Sequence, residues 1–440
     1  MAQQRTEEIA ALMTRARAET LKLFDLAREE DLRSSPGFGF RPIVWHLAHI
    51  GVFEAYWLLQ KLKGEAAPDK RYERIFDPIN TPREESKNLP SRREMEAYLS
   101  KVRARSLRAL EQTSFDEAEP LLRDGYVFHL VLEHEYQHQE TLCYLLHMLP
   151  AAKKRKPSME AAQRAVAASA SSASLPEMVT IAAGEFEMGA SSRAFVYDNE
   201  LPRHVVSLPS FKLDRLLTTN AEYTAFIEEG GYRRREWWSD EGWDWRERED
   251  WQAPLYWQKD ADVWRARGFF DEDAPAAQHP VAGISWHEAE AYARFRGKRL
   301  PTEAEWERAA SFDACANRSR RFSWGDEEPD ARLCNFNNDL WSTSAVGSYT
   351  AGASADGCLD MTGNVWEWTQ DAFAGYPGFE PFPYPEYSQM WFDGDHRVLK
   401  GGSWATRAPL LRNSFRNFFR RHFRIAFAGI RCAQDAEKSG

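Results

Sequence analysis

Residues 132–147, LEHEYQHQETLCYLLH, decide the architecture of the first third of the chain. Apolar residues recur there at spacings of three and four, without glycine or proline, which is the period of an amphipathic helix. His134 and His138 therefore leave the same face one turn apart, a spacing that suits two ligands on one metal ion. Extended in both directions, the pattern predicts a helix from about Gly125 to Leu149, stopped by Pro150. The same spacing upstream marks helices over Arg5 to Glu30, Arg41 to Lys63 (ended by Gly64) and Arg92 to Gln112. The irregular stretch DPINTPREESKNLPS (77–91) joins the second to the third. Four helices with one long connection predict a bundle over residues 1–150.

The second helix carries WHLAHIG (45–51), with His46 and His49 three apart, so a third imidazole can come from there. Three neutral histidines suit Zn, Fe, Cu or Ni and leave positions open for substrate and O2 or water. HEYQH (134–138) also spells the HExxH of zinc proteases, in which Glu135 would be the general base. Here His147 follows nine residues later on the same unbroken helix, whereas a protease of that kind turns its chain back to the metal. The bundle context disfavours that chemistry. On the plainer alternative, in which the histidines bind nothing, Glu133, Glu135 and Glu140 simply form the helix's solvated face.

Residues 151–176 are rich in Ala, Ser and Lys and hold too little apolar surface to offset their ordering entropy, so a linker is expected, with a short helix at Met159 to Ala167. Beyond it, over 177–435, short β-like runs (MVTIAAGEFEMG, 178–189; HVVSLPSFKLD, 204–214; RVLKGGSW, 397–404) alternate with turns and Trp-rich loops. Helical pieces are expected at Asn220 to Glu229 and Trp286 to Arg296. The fold class expected is multidomain: an α bundle followed by one loop-rich α+β domain.

Composition excludes several functions. The net charge is -10, and Lys153 to Lys156 is the nearest approach to a basic cluster, which argues against nucleic acid as the main partner. Mean hydropathy is -0.61, and no apolar run nears the roughly 18 residues of a membrane span. The start, MAQQRTEEIAALMTR, is charged rather than a signal peptide, so a cytoplasmic location is expected. Five cysteines without CxxC spacing fit neither a disulfide framework nor a zinc ribbon. Nothing here bears on oligomeric state.

WHLAHIGVFEAYWLL (45–59) and HEYQHQETL (134–142) resemble the DinB-like metal-binding bundle. MVTIAAGEFEMG, PVAGISWHEAEAYARFRGKRLPTEAEWERAA (280–310), DMTGNVWEWTQD (360–371), RVLKGGSW and FAGIRCA (427–433) resemble the formylglycine-generating-enzyme (sulfatase-modifying factor) fold, which is C-type-lectin-like. In this order the two resemble the ergothioneine sulfoxide synthases of the EgtB type, over nearly the whole chain. That resemblance implies Fe(II) held by His49, His134 and His138, with O2 as co-substrate and the active site between the domains; His46 is a neighbour rather than a ligand. It places Gln137, Asn417 and Phe418 around N-α-trimethylhistidine, a substrate whose quaternary ammonium is met by aromatic faces. It makes Tyr384 of PYPEYS (383–388) the catalytic tyrosine, with Tyr376 and Tyr387 as competitors. The product implied is a sulfoxide joined to the imidazole carbon between the two nitrogens. True formylglycine generators carry a catalytic cysteine pair near the C-terminal end, where this chain has only Cys432.

Departures from the family bear on the thiol. Relatives using γ-glutamylcysteine have two arginines three apart before the LP of the long connection, and an acid after the aromatic that follows the Asn. Here PREESKNLP (82–90) supplies Arg83, then Ser86 with Lys87 beside it, and Asn417 is followed by Phe418, Phe419, Arg420 and Arg421. Loss of the acid removes a partner for a donor's ammonium, and Arg83, Lys87 and Arg420 favour a carboxylate or other anion. Cysteine is the donor expected first, γ-glutamylcysteine second, and a selenosugar, as in selenoneine synthases, third. The reading from another class is a non-catalytic binding module whose structural metal is closed off by Glu135 or Glu140.

Overall fold

The structure is a computed structural model that describes residues 2–37, 40–86, 88–116, 118–157, 176–191 and 195–436. The helix expected at 159–167 and most of the expected linker lie outside the described residues. The chain divides into two compact units, one running to Ser158 and including Phe269–Asp271, the other comprising Met159–Gly268 and Glu272–Gly440.

The first unit is helical: α1 (Ala2–Phe24), α2 (Glu29–Arg33), α3 (Trp45–Glu54), α4 (Lys70–Ile75), α5 (Arg92–Glu111) and α6 (Tyr126–Met148). The expected helix over Arg5 to Glu30 is divided, because Ala27 pairs with Lys154 in a β-bridge and the Leu26 carbonyl accepts from the Arg155 N–H. The second expected helix starts at Trp45 instead of Arg41, since Arg41 precedes Pro42 and is steered out of the α region. Beyond Glu54, α3 continues as a π-helical segment, Ala55–Lys61, an irregularity often found near functional sites. A capping box between Ser91 and Glu94 starts α5.

α1 packs along α6 and α3 along α5. Each of these four helices sends one charged side chain to a shared buried quartet. Arg17 of α1 reaches Glu54 of α3 at 2.9 Å and Glu135 of α6 at 2.8 Å, and Arg103 of α5 reaches the same two carboxylates at 2.8 Å each. The plainer alternative of a solvated acidic face on α6 is thus not met: Glu133, Glu135 and Glu140 are all buried. α6 is enclosed by its neighbours, and its acids are stabilised by partners rather than by water.

The second unit is the α+β domain. Its sheets are small: β1 (Met178–Ile181) and β4 (Phe211–Asp214) pair with β14 (Ala433–Asp435), and β2 (Gly184–Met188) pairs with β3 (His204–Leu208). β5 (Trp257–Asp260), β6 (Val263–Arg267) and β7 (Glu272–Asp273) form a meander, and β8 (Phe312–Asp313) and β9 (Arg318–Ser319) a short ribbon. A four-stranded sheet has the order β12 (Asn417–Arg420), β11 (His396–Lys400), β10 (Trp366–Ala372), β13 (Ala428–Gly429), with β10 and β13 parallel.

Helices α7 (Asn220–Glu228), α8 (Asp240–Arg248), α9 (Trp286–Phe295) and α10 (Glu303–Ser311) fill the connections. Trp306, Trp366 and Trp368 are among the largest fully buried side chains. The Trp306 indole N–H donates to Glu367, which also binds Arg431 at 2.8 Å. Large rings and fully paired ions thereby substitute for the extended regular structure this domain lacks.

Candidate metal centre

On α3, His46, His49 and Phe53 fall three and four residues apart and share a face; on α6, His134 and His138 do the same. The structure brings His49, His134 and His138 together, with one potential ligand atom from each lying within 4.8 Å of the others. Among the described residues this is the cluster of three His, Cys, Asp or Glu side chains with such spacing. His49 is buried, while His134 and His138 are partly buried.

The rings are held in three different ways. His49 Nδ1 lies 2.9 Å from the Phe76 carbonyl oxygen, which can only accept, so Nδ1 carries the hydrogen and Nε2 keeps its lone pair. The ring also stacks on Trp45 at 4.6 Å. His138 Nδ1 meets His46 Nδ1 at 3.1 Å. His134 has a buried Nδ1 without a hydrogen-bond partner and lies flat on Phe53, with ring centroids 3.6 Å apart and planes within 8°.

Electrostatics keep the cluster unprotonated. Burial takes the His46 pKa down to about 3, with His49 and Arg41 adding to it. Burial also takes His49 to about 4, against the opposing Phe76 hydrogen bond. His134 and His138 are lowered well below the usual imidazole value by burial and then by the neighbouring rings. Neutral imidazoles are the form that binds a metal.

Glu135, the base an HExxH protease would need, is turned into the quartet. Burial pushes its pKa up, but Arg17 and Arg103 outweigh that and bring it to about 2. Glu140 accepts a hydrogen bond from Tyr144 OH at 2.7 Å. Neither belongs to the ligand cluster.

Other expected site residues are placed as follows. Gln137, on α6 just before His138, is partly buried, and Arg83 is exposed at the start of a short 3-10 turn. Lys87 lies outside the described residues. In the second unit, Asn417 and Phe418 are neighbours on β12; the Asn417 side-chain oxygen accepts from the Phe418 N–H at 2.9 Å, leaving its amide NH2 to donate. Phe418 stacks on Phe373 at 4.0 Å. Arg420 ends the strand and pairs with Asp395 at 2.8 Å and Asp393 at 3.4 Å.

Tyr384 is partly buried in the loop after the cis Phe382–Pro383 bond, edge-on to Tyr387. Of its competitors, Tyr376 is buried and donates to Glu303 at 2.9 Å, and Tyr387 stacks on Tyr197 at 4.2 Å. Cys432 is buried with its thiol pushed well above the usual range, chiefly by desolvation, which makes it a poor nucleophile.

Sequence patterning overlooks three side chains around the cluster: Trp45, Phe53 and Arg41. Phe53 was within reach, being four residues after His49 on one helix face. Arg41 was not. Its guanidinium lies 4.6 Å over Trp45 and donates to Ser86 Oγ and the Thr81 carbonyl at 2.6 Å each, contacts that exist only once residues 78–86 fold back.

Comparison with known proteins covers both units. A sulfatase-modifying factor enzyme 1-like domain matches residues 163–436, and a DinB superfamily domain matches residues 12–142. The chain is similar to hercynine oxygenases: 38% identical to that of Mycolicibacterium thermoresistibile over 98% of this chain and 95% of the relative. It is 40% identical to that of Mycobacterium tuberculosis and 38% to that of Mycolicibacterium smegmatis, each over 98% of this chain and 99% of the relative.

Proposed function

This chain belongs to the hercynine oxygenase family, with its DinB and sulfatase-modifying-factor domains, and from that premise we propose that it joins the sulfur of a thiol to the imidazole of N-α-trimethylhistidine and leaves a sulfoxide. The reaction balances without an external reductant: an imidazole C–H and a thiol S–H are lost, a C–S bond forms, and O2 supplies one oxygen to sulfur and one to water. The thiol is cysteine in preference to γ-glutamylcysteine.

The observation that carries this reading is the cluster of His49, His134 and His138 without a carboxylate. Three neutral imidazoles fit a borderline divalent ion, and we assign Fe(II) to them. When bound, the iron supplies the one-electron chemistry that O2 requires. The residues do the rest. His49 keeps its Nε2 lone pair on the cluster because Phe76 holds Nδ1–H. Gln137, Asn417 and Phe418 are the residues we assign to the trimethylammonium and imidazole of the substrate, the aromatic face of Phe418 suiting the quaternary ammonium. Arg83, Lys87 and Arg420 favour an anionic donor. Tyr384 OH delivers a proton to the reacting oxygen, favouring C–S coupling over oxidation of the thiol alone.

Fe(II)-loaded protein given trimethylhistidine, O2 and, in separate arms, cysteine, γ-glutamylcysteine or a selenol should form a product of the combined mass plus one oxygen. Cysteine should turn over fastest. No coupled product with any donor, at full iron occupancy, would overturn the proposal.

A further inference from the structure

The three clustered histidines differ in what holds their remaining nitrogen. A carbonyl holds His49 and a stacked ring holds His134, but His138 faces another imidazole, Nδ1 to Nδ1, at 3.1 Å. Two Nδ1 atoms at that distance share one hydrogen, so the pair has two neutral forms. With the hydrogen on His138 Nδ1, His138 Nε2 keeps its lone pair. With the hydrogen on His46 Nδ1, His138 carries an N–H on Nε2 and cannot use that atom as a ligand.

We infer that His46 is a positioning residue for His138: its Nδ1 accepts the His138 Nδ1–H and so presents the His138 Nε2 lone pair to the cluster. The inference rests on the ligand set proposed above. His46 stands one turn before His49 on α3, and its ring meets Trp45 edge-on at 5.3 Å, which limits its rotation. α3 therefore contributes one ligand and, from the preceding turn, the acceptor that orients a ligand on α6. An acceptor behind a ligating imidazole fixes its tautomer and raises its basicity, and losing such a partner typically weakens metal binding by roughly 10–100-fold.

The test is Co(II) titration of the full-length wild type, His46→Leu, His46→Asn and His138→Ala, with chelator competition and far-ultraviolet circular dichroism as a control on folding. His46→Leu should bind roughly tenfold to a hundredfold more weakly. His46→Asn, whose amide oxygen can occupy the Nδ1 position, should recover most of that loss. In the Zn(II)-loaded wild type, the His138 Nδ1 proton should give a downfield, slowly exchanging resonance that is lost in His46→Leu. Wild-type affinity in His46→Leu, with binding lost in His138→Ala, would overturn the inference and leave the ligand set standing. Equal weakening in folded His46→Leu and His46→Asn would also overturn it, because packing alone would then explain the effect. No Co(II) binding by the wild type would overturn both readings.

Discussion

At the scale of single residues, His134 is the ligand candidate with the weakest support. Its buried Nδ1 lacks a hydrogen-bond partner, so the flat contact with Phe53 is what holds the ring. Aromatic pairs contribute about 0.5–1.5 kcal/mol beyond the area they bury. Phe53→Leu should therefore weaken metal binding roughly two- to tenfold, read by chelator competition. An unchanged affinity would mean that the helix backbone alone orients His134. Tyr384 is the tyrosine assigned the proton, with Tyr376 donating to Glu303 and Tyr387 stacked on Tyr197. Tyr384→Phe should shift products from the coupled sulfoxide towards oxidised thiol, quantified by mass spectrometry on one sample. A constant product ratio would remove the hydroxyl from the proton path.

At the scale of elements, the quartet of Arg17, Glu54, Arg103 and Glu135 sets α3 and α6 in register, and those helices carry every clustered histidine. Breaking a buried pair by removing one partner typically costs about 3–5 kcal/mol, since the remaining charges lose their compensation. Arg103→Leu should lose stability of that order in urea unfolding, and a loss below about 1 kcal/mol would show that the carboxylates re-pair with Arg17 alone. The helices themselves were legible, because α5 and α6 follow the apolar period and α6 stops before Pro150. The quartet was not. Glu135 reads as a surface acid until α1 and α5 supply partners 118 and 32 residues away. In the second unit, α10 has a local signature, the Thr302–Glu305 capping box, yet it is short and enclosed by loops, so periodicity alone passes over it. The histidine cluster was legible because two residue pairs on two helix faces carry it. The tautomers were not, since a carbonyl at Phe76 and a ring at His46 define them only after packing.

For the whole molecule, the same buried imidazoles tie stability to pH and metal. Each takes up a proton less readily in the folded chain than an ordinary imidazole with its pKa of 6.5, with His49 near 4 and His46 near 3. Above about 6.5 neither state is protonated and their contribution to stability is complete. As pH falls from there towards 4, the unfolded chain gains protons that the folded chain refuses, so the metal-free protein loses stability. A tenfold difference in proton affinity is worth about 1.4 kcal/mol. Glu135 acts in the same direction lower down, between 4.5 and about 2. Metal opposes the loss, adding about 2.7 kcal/mol at a hundredfold excess over Kd, and because the folded imidazoles stay neutral until the pH nears 4, protons compete with it only there. Helix melting followed at 222 nm at pH 7.5, 6 and 5, with Zn(II) and with chelator, should show the Tm in chelator falling at each step and a metal-induced rise that persists at pH 5. Tryptophan emission offers an internal control, because all but Trp45 and Trp57 of the 17 tryptophans lie beyond residue 176. Its transition should shift less with metal than the helix signal does. Loss of the metal-induced rise already by pH 6 would show that the folded imidazoles take up protons like free ones, and would overturn this reading of the cluster.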